Sequence, residues 1–263
     1  GRVLILAHVK ELLEHAVEKL HTMAPDLRNK IGVYSAGLKS RDTEHPIIVA
    51  GIQSIYKRAC ELDAFDLILI DEAHMLPPDG EGMYRRFLAD ARDLCDHQRV
   101  IGLGTVLDTS RFCSMIAEEK NLPASQVRAL ILGEHGDSMT PIWSSAQVGG
   151  VALTSIMTPN EQRQLFERTR GSGAEVIKRK GGAGYAVGLT IAEVIHAVAL
   201  DQRRVLPVSS QMSGQSGLRG VSLSIPTVVG RDGVTNHYTP DLRPKELAGI
   251  QKSARALDAT WKQ

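Results

Sequence analysis

Apolar residues in this 263-residue chain fall into two alternating patterns. Short continuous runs, Val3 to Ala7, Ile31 to Tyr34, Ile47 to Ala50, Phe65 to Ile70 and Val100 to Leu103, read as buried strands. Between them apolar residues recur at helical spacing. Leu12, Leu13, Ala16, Val17 and Leu20 predict a helix that ends before Pro25. Two more helices are expected over Gln53 to Leu62 and, after the loop Pro77-Pro78-Asp79-Gly80, over Glu81 to Leu94. Strands alternating with helices across short connections predict a parallel sheet covered on both faces.

Strand and helix signals continue past residue 104, and the change to alternating strands comes after residue 205. A helix starts near Asp108, and a strand is expected from Val127 to Leu132. The segment Trp143 to Val148 is expected to pack beneath the turn at His135. Glu161 to Lys180 reads as a helix interrupted at Gly171-Ser172-Gly173. Leu189, Ile191, Val194, Ile195 and Val198 predict a helix that is apolar on much of its surface and buried. Val205 to Ser209 and Val221 to Val229 predict strands, the second alternating in part, which suits an antiparallel sheet. Arg231-Asp232-Gly233 predicts a turn, and Pro244 opens a last helix. Its stripe Leu247, Ile250, Ala254, Leu257 and Trp261 should dock on the chain's own core.

Composition narrows the function classes. Thirty-one Lys and Arg against 30 Asp and Glu leave a net charge of +1, which favours neither nucleic acid nor a membrane surface as partner. Cys60, Cys95 and Cys113 are scattered, with no Cys-x-x-Cys pair. That argues against a disulfide framework or a zinc site and fits a reducing, cytoplasmic setting. No apolar run approaches ~18 residues, so no membrane-spanning helix is expected. Gly1-Arg2 leads directly into a strand, so no leader peptide is expected.

The candidate chemistry lies between residues 100 and 140. Asp108 and Arg111 are three apart and share a helix face. Gly133-Glu134-His135-Gly136-Asp137 then places a histidine between glycines at a turn. A guanidinium binds a carboxylate with a two-pronged fork. An imidazole gives or takes a proton near neutral pH. A carboxylate beside it holds one tautomer and favours the charged ring.

Val106-Leu107-Asp108-Thr109-Ser110-Arg111-Phe112, followed by Gly133-Glu134-His135-Gly136-Asp137-Ser138, resembles the C-terminal catalytic domain of the L-lactate/malate dehydrogenase family. The likeness runs from about residue 100 to residue 263. It implies His135 as the acid/base, Asp108 as its partner and Arg111 as the carboxylate anchor. It also implies NAD as cofactor and a small 2-hydroxy or 2-oxo acid as substrate, and it is compatible with a homo-oligomer. Ala183 stands where many lactate-type members carry a hydroxyl residue lining the substrate pocket, which leaves the particular acid open.

Residues 1–99 resemble a different family, the first motor domain of superfamily 2 helicases of the DEAD/DEAH type. The features that carry this are Leu6-Ala7-His8-Val9-Lys10-Glu11-Leu12, Gly51-Ile52-Gln53-Ser54-Ile55 and the DEAH box Asp71-Glu72-Ala73-His74. The resemblance implies Asp71 holding magnesium through water, Glu72 activating the attacking water and His74 relaying to a partner domain. A working motor also needs Gly-x-x-x-x-Gly-Lys-[Ser/Thr], and no Gly-Lys dipeptide occurs here. ATP with magnesium is therefore not expected as a cofactor, nor nucleic acid as a partner. Asp71 and Glu72 are read as a solvated strand-end pair, with a metal site there as the alternative.

The dehydrogenase likeness lacks a part too. Dinucleotide binding uses Gly-x-Gly-x-x-Gly after a strand. Gly102-Leu103-Gly104 has Leu107 where the third glycine belongs, and Gly181-Gly182-Ala183-Gly184 does not fit the spacing. The expected fold is α/β. A parallel-sheet, Rossmann-like or RecA-like half over residues 1–103 is joined to an α+β lactate/malate dehydrogenase-like domain over residues 104–263. The expected function is an oxidoreductase-derived hybrid, a chimera joined within residues 99–103, with impaired or no NAD-dependent activity. The alternatives are a helicase-like nucleotide or nucleic-acid binder, or a folded chimera without native activity.

Overall fold

Each predicted strand of the first hundred residues that carries a continuous apolar run lies in one sheet. The computed structural model describes residues 1–8, 10–62, 65–70, 82–84, 86, 87, 100–180 and 184–261. Asp71, Glu72 and His74, most of the helix expected over 81–94, and Ala183 lie outside the described residues. The sheet contains β1 (Val3–Ala7), β2 (Ile31–Ser35), β3 (Ser40–Arg41), β4 (Ile47–Gly51), β5 (Leu67–Ile70) and β6 (Val100–Gly102), with helices α1 (Lys10–Met23) and α2 (Ile52–Ile55) between them. Strands β6, β5, β1, β4 and β2 run parallel in that spatial order. Successive side chains of a strand point to opposite faces. In β1, Leu4 and Leu6 enter one apolar cluster, while Ile5 and Ala7 enter the other. Both faces being covered explains why these strands read as unbroken apolar runs rather than alternations.

The rest of the chain supplies α3 (Val106–Lys120), β7 (Val127–Leu132), β8 (Thr140–Val148), β9 (Val151–Ala152), α4 (Leu153–Ile156), α5 (Pro159–Lys180) and α6 (Gly184–Ala199). Then come β10 (Arg204–Leu206), β11 (Ser209–Ser213), β12 (Arg219–Ser224), β13 (Thr227–Gly230), β14 (Gly233–His237) and α7 (Pro244–Trp261). Strands β7-β8-β9 and β10-β13-β14 form two small antiparallel sheets. The large sheet does not stop at residue 103. Ser209 of β11 pairs antiparallel with Gly102 of β6, and β12 pairs with β11 beyond it. Among the described residues, no helix is long and apolar enough to cross a membrane.

Four sequence expectations need correction. The helix expected over 53–62 is a single turn, α2, followed by a 3-10 turn at Ala59–Glu61. The same apolar residues, Ile52, Ile55, Ala59 and Leu62, are buried either way, and at that length packing outweighs helical propensity. α5 runs through Gly171-Ser172-Gly173 without a break, because glycine lowers helix stability without blocking a backbone hydrogen bond. Val205 to Ser209 and Val221 to Val229 are each two strands, parted at Pro207 and Pro226, since proline offers no N–H to a ladder. α6 buries the side that meets α1 and leaves Leu189 exposed. Trp143 meets Phe112 of α3 edge-on, with ring centroids 5.0 Å apart.

Candidate functional site

The site is built where β6 hands over to α3. Gly104 has a φ of +57°, and a Cβ there would lie 2.6 Å from the Ser209 backbone nitrogen and would overlap the Ser224 hydroxyl. Only glycine combines that backbone conformation with that closeness. Thr105 follows, fully buried. Its backbone N–H donates to Ser224 Oγ (3.0 Å) and its hydroxyl to the Ile131 carbonyl (2.5 Å). One turn on, Thr109 Oγ1 accepts the Ile131 N–H at 3.0 Å. Two threonines four apart thus grip the backbone of one residue in β7 from the same helix face.

This grip sets the position of the next turn. Gly133 and Ser224 exchange backbone hydrogen bonds of 2.9 and 3.0 Å, so the chain leaves β7 tied to β12. Two residues later, His135 Nδ1 lies 2.5 Å from Asp108 Oδ2. The other carboxylate oxygen of Asp108 is 3.7 Å from an Arg111 guanidinium nitrogen. The Asp108 side chain is 3% exposed, that of Arg111 15% and that of His135 36%. A buried carboxylate without partners is costly, and here it has a cation on one side and an imidazole on the other. Burial lowers the pKa of the Arg111 guanidinium, and Asp108 acts against that.

The tertiary arrangement brings Asp108, Arg111 and His135 together. With Asp108 accepting from Nδ1, the neutral imidazole presents Nε2 as its basic nitrogen. α5 passes close by at Gly173, where a Cβ would lie 3.3 Å from Arg111 Nη1, so the missing side chain makes room for the guanidinium. Clefts of about 340 and 420 Å³ lie elsewhere, one between α1 and α6 and one between α3, β7 and β10. The three residues line neither of them. Sequence reasoning missed Thr105, Thr109, Ser224 and Ser253, the hydroxyls that hold the site's backbone. The spacing of Thr105 and Thr109, flanking Asp108 on a predicted helix, was the available signal.

A doubly wound sheet that passes through a glycine turn into a buried carboxylate with an imidazole and a guanidinium beside it defines an α/β protein with an ionisable cluster at the end of its β6 strand. The chain belongs to the lactate/malate dehydrogenase family, whose alpha/beta C-terminal domain matches residues 105–263. Residues 1–106 match a second family, the Type III restriction enzyme res subunit, so the two likenesses meet at the start of α3. Similar proteins include the L-lactate dehydrogenase of Salinibacter ruber, 40% identical over 167 residues that make up 61% of this chain and 53% of that protein. A malate dehydrogenase of Chlorobium phaeobacteroides is 38% identical over 163 residues, 61% of this chain and 53% of that protein. The chain therefore spans about half the length of the curated relatives it matches. In fold it resembles the minor L-lactate dehydrogenase of Enterococcus mundtii in its ligands-bound form. The TM-score is 0.77 at 19% identity, over 100% of this chain and 98% of that one. That likeness reaches across both halves, although the sequence likeness to the dehydrogenases does not.

Proposed function

We propose that residues 104–263 form the carboxylate-binding and proton-transferring half of a 2-hydroxy acid dehydrogenase, set on a foreign α/β half that does not hold its cofactor. The observation that carries this is the buried Asp108 carboxylate between the His135 imidazole, at 2.5 Å, and the Arg111 guanidinium, at 3.7 Å. Arg111 would take the carboxylate of a small 2-hydroxy or 2-oxo acid through two parallel N–H···O bonds. His135 would give a proton from Nε2 to the 2-oxo oxygen, or take one from the 2-hydroxyl. Asp108 would hold the ring's tautomer and offset its charge once protonated.

The family's chemistry also needs NAD, which supplies the hydride when bound. Among the described residues, the β1–α1 and β4–α2 turns do not fit it. A pyrophosphate lies against a glycine-rich strand-to-helix turn. Here the central strand β1 runs into α1 through His8 and Lys10, with no glycine. At the one glycine of the β4–α2 turn, Gly51, the open face is filled. A Cβ there would lie 3.2 Å from Leu13 Cδ1 and 3.7 Å from Ser35 Oγ. No hydride step is assigned to this chain.

Calorimetry and thermal shift with oxamate, an isostere of a 2-oxo acid, test both statements. Oxamate should bind, and Arg111→Lys should weaken binding by about tenfold or more, since an ammonium cannot reproduce the fork. NADH production from lactate or malate should stay at background, and ATP with magnesium should give no shift. Binding indifferent to Arg111→Lys would remove the anion site, while robust NADH production would remove the claim of a lost cofactor half.

A further inference from the structure

The last helix reaches the site from the far end of the sequence. On α7, Glu246, Gly249 and Ser253 are spaced three and four apart and so share a face. Glu246 is buried and accepts the Ser144 N–H (2.9 Å) and the Arg243 N–H (2.8 Å). At Gly249 a Cβ would lie 2.5 Å from Thr140 Oγ1, so the helix backbone sits against the start of β8. These two contacts bring Ser253 to the turn that carries His135.

Ser253 is 0% exposed, and its helix neighbours Ile250, Ala254 and Leu257 belong to an apolar cluster. A hydroxyl placed there costs free energy unless it is hydrogen-bonded. Its proton goes to the Ser138 carbonyl at 2.7 Å. Its oxygen also lies 3.1 Å from the Ser138 hydroxyl, which itself donates to the Glu134 carboxylate. At the other end of the same turn, Gly133 has a φ of +96°, and a Cβ there would overlap Ser253 Oγ. The hydroxyl of Ser253 therefore touches both the entry and the exit of the turn Gly133–Ser138. Ser224 ties the entry to β12, and Ser253 ties the exit to α7.

We propose that Ser253 is a positioning residue for His135: its hydroxyl fixes the exit of the turn and so holds the imidazole against Asp108. The hydroxyl touches neither the ring nor the anion position, so it acts through the backbone of Ser138. The role of His135 that this serves rests on the proposed function, but the geometry it asserts does not.

The test is Ser253→Ala, read by histidine side-chain NMR, with the His135 signals assigned by their loss in His135→Gln. The His135 imidazole resonances should shift and broaden while those of His237, which contacts Ser210 instead, stay in place. Oxamate should bind about tenfold more weakly, the effect of roughly one lost hydrogen bond. If Ser253→Ala does not fold, Ser253→Cys, of similar size with a weaker donor, should show a smaller shift of the same signals. His135 resonances that superimpose on those of the parent protein in the folded variant would overturn the proposal. If the parent does not bind oxamate, the functional reading fails, and the resonances still decide whether Ser253 positions the ring.

Discussion

At the scale of single residues, hydroxyl and imidazole groups set the finest features of this molecule. His237 is an instance away from the candidate site. Its Nε2 lies 2.7 Å from the buried Ser210 hydroxyl, and its Nδ1 faces the Gln215 side-chain nitrogen at 3.3 Å. Gln215 is oriented by its carbonyl oxygen, which accepts the Ser213 N–H at 2.8 Å. Nδ1 thus accepts and Nε2–H donates, which is the neutral ring. Burial lowers the pKa of His237. The unfolded ring then binds its proton at a higher pH than the folded one, so stability falls as pH drops below about 6.5. Above that pH both states are neutral and the effect vanishes. Between pH 7 and 5.5, the melting temperature of His237→Gln should fall less than that of the parent; parallel curves would contradict this. The sequence did not mark His237, because its partner sits on another strand. Asp108 and Arg111 were legible for the opposite reason, since three residues on a helix already place them together. Ser224 and Ser253 were not, because their contacts cross about ninety residues of chain or more.

At the scale of elements, most boundaries followed from apolar spacing, and two of the misses share a cause. Glycine and proline act through the backbone group they remove, not through their presence alone. Proline removes an N–H and parts two strands, at Pro207 and Pro226. Glycine removes none, and α5 continues through two of them. The two glycines of α5 nevertheless differ. Nothing lies within 4 Å of a Cβ built at Gly171, which is exposed, while one built at Gly173 meets Arg111 at 3.3 Å. Gly171→Ala should stabilise the protein by about 0.5–1 kcal/mol, through lower backbone entropy in the unfolded chain. Gly173→Ala should gain less and should weaken oxamate binding by crowding the guanidinium. Denaturant midpoints and calorimetry of the two variants check this, and equal gains with unchanged binding would count against the placement of Arg111 beside α5.

At the scale of the whole molecule, the two family likenesses share one core. Ile5, Val49 and Leu69 from the first half pack in one cluster with Val106, Val194, Leu206 and Val229 from the second, and α1 lies on α6. Neither set could leave the other without exposing this surface, so unfolding should be a single cooperative transition. Far-UV circular dichroism and calorimetry should report one coincident midpoint, and two separated transitions would show the halves to be independent. By itself the sequence determined which segments are buried on both faces and which helix face carries Asp108 and Arg111. These depend on side-chain period and composition, which are local properties of the chain. The tertiary structure alone decided that β6 is flanked by β5 and β11, that His135 Nδ1 meets Asp108, and that Ser253 closes the turn between them. Those depend on strand order and on hydrogen bonds across long separations, where no local preference of the backbone selects the partner.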